Sequence, residues 1–339
     1  MNIQEIIETA KAMMAGNKGL LAMDESTPTC NERFSALGIP QNIETRRAYR
    51  ELIVTAPGLE SYISGAILSD ETIYQQALDG SLLVGILTRK GIIPGIKVDT
   101  GTQDMAGFEG EKITEGLDGL RSRLKEYRQL GARFAKWRAV ISIGKDIPSW
   151  ACMEANTQAL ALYAGLCQEA GLVPVVEPEV LMAGNHTLEK CGEVSEKVIR
   201  ILFHHLYMQR VNIQGVILKP SMVLAGTDCP QQGDPDTVAA ATLNCLLRSV
   251  PAAVPGIAFL SGGQAPQIAS ANLNAMHISP SFTLPWVVTF SFARAIQKPA
   301  LEIWKGRIEN VLPAQQALVH RARCNYFARK GEYSAAMEL

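Results

Sequence analysis

Eight short apolar runs recur along the chain, at 19–26, 62–69, 92–99, 133–141, 171–180, 215–220, 256–263 and 284–294. Between them lie segments of helical period: Leu117, Leu120, Leu124 and Tyr127 in "GLDGLRSRLKEY", and the Ala- and Leu-rich "EANTQALALYAGLCQEAG" closed by glycine. Strands separated by helices must pair in parallel through right-handed crossovers. Eight such units in one chain suit a closed (β/α)8 TIM barrel better than an open sheet. A doubly wound sheet is the alternative, but it would carry a glycine-rich phosphate turn after its first strand, and none is present. The reading is a single catalytic barrel over 1–328 with a short, loose tail, 329–339.

Composition narrows the function classes. A hydrophobic content of 47% is that of a soluble globular chain, and 32 basic against 33 acidic residues leave a net charge of −1. That balance calls for neither nucleic acid nor an anionic membrane, so an anion site has to be local. The opening "MNIQEIIETAKAMMAG" sets Ile3, Ile6, Ile7, Ala10 and Met13 on one helical face and lacks a basic leader region. No apolar run approaches the roughly 18 residues of a membrane span. Seven dispersed cysteines without a C-x-x-C pair fit a reducing compartment, and a cytoplasmic location is expected. His204 and His205 are adjacent and face different ways on a helix, which argues against a metal there. "DPDTV" at 234–238 reads as a helix start.

In a barrel of this kind the C-terminal strand ends build the active site. Seven of the eight runs carry polar residues within or at their ends: Asp24; Lys97 and Asp99; Lys136 and Arg138, which punctuate the fourth; Glu177 and Glu179; Lys219; Ser261 with Gly262 and Gly263; Ser291 and Arg294. Spacing by two puts Lys136 with Arg138, and Glu177 with Glu179, on single strand faces. Facing inward, these cations and carboxylates must pair or shift their pKa values, which a structural ion-pair network would also satisfy.

Lys219 favours chemistry. Placed at the end of the buried run "GVILKP" among cations such as Lys136, it is expected to have a lowered pKa and so to present a neutral amine. An amine attacks a carbonyl, and the iminium formed draws electrons from a neighbouring carbon–carbon bond. Asp24, Glu177 and Glu179 offer the carboxyl groups that must move protons. "LSGG" and "SFAR" together have the make-up of a barrel phosphate site after the seventh and eighth strands, so the substrate is expected to be phosphorylated.

"LAMDEST", "GIKVD", "GLDGL", "FAKWR", "VEPE", "LKPSMV", "FLSGGQ" and "TFSFARA", in this order over almost the whole chain, resemble the class I fructose-1,6-bisphosphate aldolases. The resemblance implies a (β/α)8 barrel, a homotetramer, and metal-independent, cofactor-free reversible cleavage of fructose 1,6-bisphosphate to dihydroxyacetone phosphate and glyceraldehyde 3-phosphate. By the same resemblance Lys219 is the Schiff-base lysine, and Glu177 the acid/base for carbinolamine chemistry and the C4 hydroxyl. Asp24 contacts that hydroxyl, and Lys136 and Glu179 tune charge around the imine. Ser261, Gly262 and Arg294 hold the C1 phosphate, while Ser26, Lys97 and Arg138 meet the rest of the sugar and its far phosphate.

Three departures carry expectations of their own. Glu32 stands before Arg33 where animal members have a Lys-Arg pair, which predicts weaker far-phosphate binding. Ala293 replaces a glycine of many relatives, which predicts altered phosphate binding by that peptide. The last tyrosine is Tyr333, so enamine protonation is expected from a donor other than a terminal tyrosine. Sedoheptulose 1,7-bisphosphate as a further substrate, a transaldolase-like transferase and a non-catalytic phosphosugar-binding barrel remain the alternatives. Glycolysis, gluconeogenesis and the Calvin cycle all use this reaction.

Overall fold

The computed structural model describes residues 2–279 and 283–338. Its strands are β1 (Gly19–Ala22), β2 (Ile63–Leu68), β3 (Ile93–Lys97), β4 (Gly101–Asp104), β5 (Lys112–Glu115), β6 (Phe134–Ile141), β7 (Val173–Val180), β8 (Ile217–Leu218), β9 (Gly256–Phe259) and β10 (Val287–Phe292). Eight of them close a parallel barrel in the order β1-β10-β9-β8-β7-β6-β3-β2, and each coincides with one of the apolar runs. The antiparallel hairpin β4-β5 lies outside the barrel and was not expected. Its polar strands, GTQD and KITE, lack an apolar run to announce them.

Alternation along each strand divides the core into two. Trp137, Val176, Leu218 and Phe259 face the helices in the large outer core, whereas Leu20, Ala22, Ile67, Phe134, Val173, Val175, Ile217 and Ala258 fill the barrel interior. The same inner cluster takes in Ile6, Ala10, Met13 and Met14 of the helix Ile3–Met14, which therefore plugs one end of the barrel. Two glycines make room. A Cβ on Gly95 would lie 2.2 Å from the Phe134 ring, and one on Gly256 would lie 2.3 Å from Met14 Sδ. Bulk on one element thus requires its absence on the element packed against it.

The helices Leu120–Gln129, Trp150–Glu169 and Pro235–Ser249 lie where the helical periods and the Asp234 cap predict them. All seven cysteines are buried free thiols. No described helix is long and apolar enough to cross a membrane. Residues 330–338 are not a loose tail in the structure. The Tyr333 amide donates to Asn274 Oδ1 at 2.9 Å, and Glu338, in the 3-10 turn Ala335–Glu338, pairs with Arg321.

Candidate active site

On β6 and β7 the inward face that is apolar at Phe134, Val173 and Val175 becomes charged one step further along. Phe134, Lys136 and Arg138 follow one another at spacing two, as do Val173, Val175, Glu177 and Glu179. Register sets Lys136 beside Lys97 of β3 and Arg138 beside Glu177 of β7. Lys219 follows β8 directly, its amide anchored at 2.8 Å on the Val176 carbonyl. Barrel pairing therefore delivers residues from distant parts of the chain to one mouth.

There the side chains form a chain of alternating charges, a circuit running Asp24–Lys136–Glu177–Lys219. Lys219 Nζ donates to Glu177 Oε1 at 2.6 Å. Lys136 Nζ lies 2.7 Å from Glu177 Oε2 and donates to Asp24 Oδ2 at 3.0 Å. All four residues are buried. The Lys136–Glu177 contact is a close ion pair. The cations expected around Lys219 are therefore met with a carboxylate between them: Glu177 separates the two ammonium groups.

Burial shapes the protonation states. Burial pushes the Asp24 carboxyl up, but Lys136 and Lys219 outweigh it and hold the pKa near about 2. Burial likewise raises Glu177, and the same two lysines reverse the sign to a lowered value. For Lys136 burial works downward, and the Asp24 and Glu177 carboxylates carry it well above the ordinary lysine range. Lys136 is thus a fixed cation held by two carboxylates, whereas Lys219 has one carboxylate partner, and shares it.

Further ion pairs lie beside this circuit. Lys97 Nζ contacts Asp99 Oδ1 at 2.7 Å, Asp99 Oδ2 accepts from the Arg138 amide at 3.2 Å, and Arg138 pairs with Glu179. Ser26 is exposed at the mouth, where its hydroxyl caps the helix Thr27–Ser35 and sits 3.0 Å from Thr29 Oγ1.

The Ser261–Gly263 turn and Arg294 lie at the mouth as well. Gly262 and Gly263 have φ of +59° and +98°, and among the described residues no oxygen accepts from either amide. Successive free amides in such a turn form a nest for an anion. Arg294 opens the helix Arg294–Trp304, and a Cβ on Gly263 would come within 3.0 Å of its Nη2. Burial, and then the nearby Arg33 guanidinium, lower the Arg294 pKa. The carboxylates in range are already engaged, Glu179 by Arg138 and Glu25 by Arg33 and Arg50. Ser291 Oγ, on the adjoining strand β10, is buried without a protein partner. A cavity of about 350 Å³, lined by Arg33, Gly263 and Arg294 among others, opens beside the turn.

The departures have structural answers. Ala293 has φ of −104°, so no left-handed backbone is asked of its methyl group. Glu32 is exposed, while Arg33 is held 2.6 Å from Glu25. Glu25, Arg50 and Gln297 form a buried network beside the site that the strand-end reading missed. Arg50 Nη1 reaches Glu25 Oε2 at 2.6 Å, and Gln297 Nε2 reaches Glu25 Oε1 at 3.0 Å. One signal was available: Arg46, Arg50 and Val54 fall on one face of the helix Ile43–Thr55, and all three are buried.

The whole arrangement has counterparts. The family model of class-I fructose-bisphosphate aldolase matches residues 5–339. The chain is similar to a probable fructose-bisphosphate aldolase class 1 of Xanthomonas axonopodis pv. citri, 54% identical over 98% of this chain and 99% of that one. It is 47% identical to a fructose-bisphosphate aldolase of Dictyostelium discoideum, over 97% of this chain and 93% of the relative. Among solved structures, the fructose-bisphosphate aldolase of Plasmodium falciparum, crystallised with TRAP and a small-molecule inhibitor, superposes with a TM-score of 0.95 at 42% identity, covering 98% of this chain and 96% of that one. With a closed barrel, a charge circuit centred on a buried lysine and a family match along nearly its full length, the chain belongs to the class-I fructose-bisphosphate aldolases.

Proposed function

We propose that the protein cleaves fructose 1,6-bisphosphate reversibly to dihydroxyacetone phosphate and glyceraldehyde 3-phosphate, with Lys219 as the Schiff-base nucleophile. The observation that carries the assignment is the 2.6 Å contact between the buried Lys219 Nζ and Glu177 Oε1, beside a Lys136 already held by two carboxylates. Lys219 transfers a proton to Glu177 and attacks the C2 ketone, giving a carbinolamine. Glu177 returns the proton as water leaves, and the iminium forms. Removal of the C4 hydroxyl proton, by Glu177 with Asp24 alongside, lets the C3–C4 bond break. Its electron pair moves onto the iminium nitrogen as the enamine, and glyceraldehyde 3-phosphate departs. Protonation at C3 and hydrolysis then release dihydroxyacetone phosphate and free Lys219. Lys136 and Glu179 keep the local charge balanced throughout.

In this reading the Ser261–Gly262 turn and Arg294 take the C1 phosphate, where fixed amides and an arginine without its own carboxylate favour a dianion. Lys97, Arg138 and Ser26 face the remainder of the sugar and its C6 phosphate. The seven-carbon sedoheptulose 1,7-bisphosphate would present the same C1 end and is a second candidate substrate. We assign the enzyme as a cytoplasmic homotetramer on the family resemblance; analytical ultracentrifugation and cell fractionation test the two statements.

The decisive experiment is borohydride trapping. The protein is incubated with dihydroxyacetone phosphate and EDTA, reduced, digested and mapped by mass spectrometry. A substrate-derived adduct on Lys219, lost together with turnover in Lys219→Ala, is the expected result. Turnover that survives Lys219→Ala overturns the mechanism.

A further inference from the structure

We propose that His320, Cys324 and Glu338 form a binding site for one divalent transition-metal ion of the zinc class, on the outer side of the barrel and built from none of the residues assigned to the aldol reaction. His320 and Cys324 are four apart on the helix Val311–Arg329 and so project from one face. Glu338 comes from the separate 3-10 turn Ala335–Glu338. One ligand atom of each residue can be chosen so that all lie within 4.8 Å of one another.

The geometry suits a tetrahedral ion. Zinc binds thiolate sulfur at about 2.3 Å and imidazole nitrogen at about 2.0–2.1 Å, which at a tetrahedral angle sets the two donors roughly 3.5 Å apart. Cys324 Sγ and His320 Nε2 are 3.6 Å apart. A soft thiolate, a borderline imidazole and one carboxylate form a donor set that selects zinc-like ions over calcium or magnesium.

The third ligand is held in place by its own partners. Glu338 Oε1 accepts from Arg321 Nη1 and from the Tyr333 hydroxyl, the latter at 2.8 Å, and both contacts leave Oε2 for the ion. Arg321 is fixed in turn by the Pro266 carbonyl at 2.8 Å and Ser270 Oγ at 2.7 Å. Such outer partners orient ligands at metal centres. A cavity of about 90 Å³, lined by His320, Cys324 and Met337 among others, leaves room for a water as fourth ligand. A bound ion would fasten the turn Ala335–Glu338 to the last long helix.

The test uses the full-length, reduced protein, stripped with EDTA, dialysed and titrated with Co²⁺ and then Zn²⁺. One equivalent of Co²⁺ should give a thiolate-to-cobalt charge-transfer band that Zn²⁺ bleaches. Cys324→Ser should abolish the band. His320→Ala, at an exposed position, and Glu338→Gln should each weaken Zn²⁺ binding at least tenfold, judged against the roughly 10–100-fold that even changes to the partners of metal ligands cost. No charge-transfer band at one equivalent, or a band undiminished in both Cys324→Ser and His320→Ala, overturns the proposal. The second result would place the ion on one of the other cysteines.

Discussion

Replacing Lys136 by methionine keeps most of its volume and removes the cation that Asp24 and Glu177 share. Breaking a buried ion pair from one side costs about 3–5 kcal/mol, because the partner stays buried and uncompensated. Here two carboxylates are left facing the single ammonium of Lys219. The pH dependence identifies the cause. In the wild type, Asp24 falls from 3.8 unfolded to about 2 folded. At 1.36 kcal/mol per pKa unit that depression contributes about 2–3 kcal/mol, present above pH 4 and lost as pH falls through 2.

Without Lys136 the largest remaining influence on Asp24 is burial, which raises its pKa. A carboxyl group whose folded pKa exceeds its unfolded one stabilises below the unfolded value and loses that contribution as pH rises through the folded value. Between pH 4 and 7.5 the variant should therefore weaken relative to wild type. The deficit should already be about 2–3 kcal/mol near pH 4, where the wild type keeps most of the Asp24 contribution, and reach about 3–5 kcal/mol at neutral pH. Urea midpoints of both proteins at half-unit pH intervals measure it. A deficit that is the same at every pH would mean that Lys136 contributes packing alone, and the electrostatic reasoning fails.

Glu177→Gln preserves shape but sets an NH2 donor against one of the two lysines and cannot carry the proton; turnover should drop by about 10²–10⁴-fold, and an unchanged rate would remove Glu177 from the mechanism. Gly263→Ala forces a methyl group onto a residue with φ of +98°, within 3.0 Å of Arg294 Nη2. The strain of about 1–2 kcal/mol should appear as roughly a tenfold higher KM for the bisphosphate in steady-state kinetics. Gly95→Ala would press Cβ to 2.2 Å from the Phe134 ring, and its urea midpoint should report a loss of roughly 1–3 kcal/mol.

The barrel was legible because parallel strands buried on both faces must read as apolar runs, and the candidate site because charge interrupts or ends those runs. Lys136 with Arg138, and Glu177 with Glu179, show the rule: a two-residue period fixes their common face before any fold is known. What sits between them was not legible. That Glu177 separates Lys219 from Lys136 depends on parallel register across β6, β7 and β8, which no local pattern encodes. The Glu25–Arg50–Gln297 network joins three segments across 272 residues, and the hairpin β4-β5 has polar strands of four residues each. His320 and Cys324 look unremarkable until Glu338 folds back beside them.

Asp24 tests whether the circuit acts as a unit. A role confined to the C4 hydroxyl of the six-carbon substrate would leave dihydroxyacetone phosphate, which has three carbons, indifferent to its loss. The geometry argues otherwise. Lys136 divides its attraction between Asp24 at 3.0 Å and Glu177 at 2.7 Å. In Asp24→Asn that ammonium has Glu177 as its only remaining carboxylate partner among those two. Glu177 is then held more firmly as an anion and accepts the Lys219 proton less readily, so attack on the ketone slows. A loss of about 1.4 kcal/mol in that step is a tenfold slower approach to the imine. Timed borohydride quenches with dihydroxyacetone phosphate measure the rate directly. A wild-type rate in Asp24→Asn would confine Asp24 to the sugar hydroxyl and show that Glu177 works with Lys219 independently of the rest of the circuit.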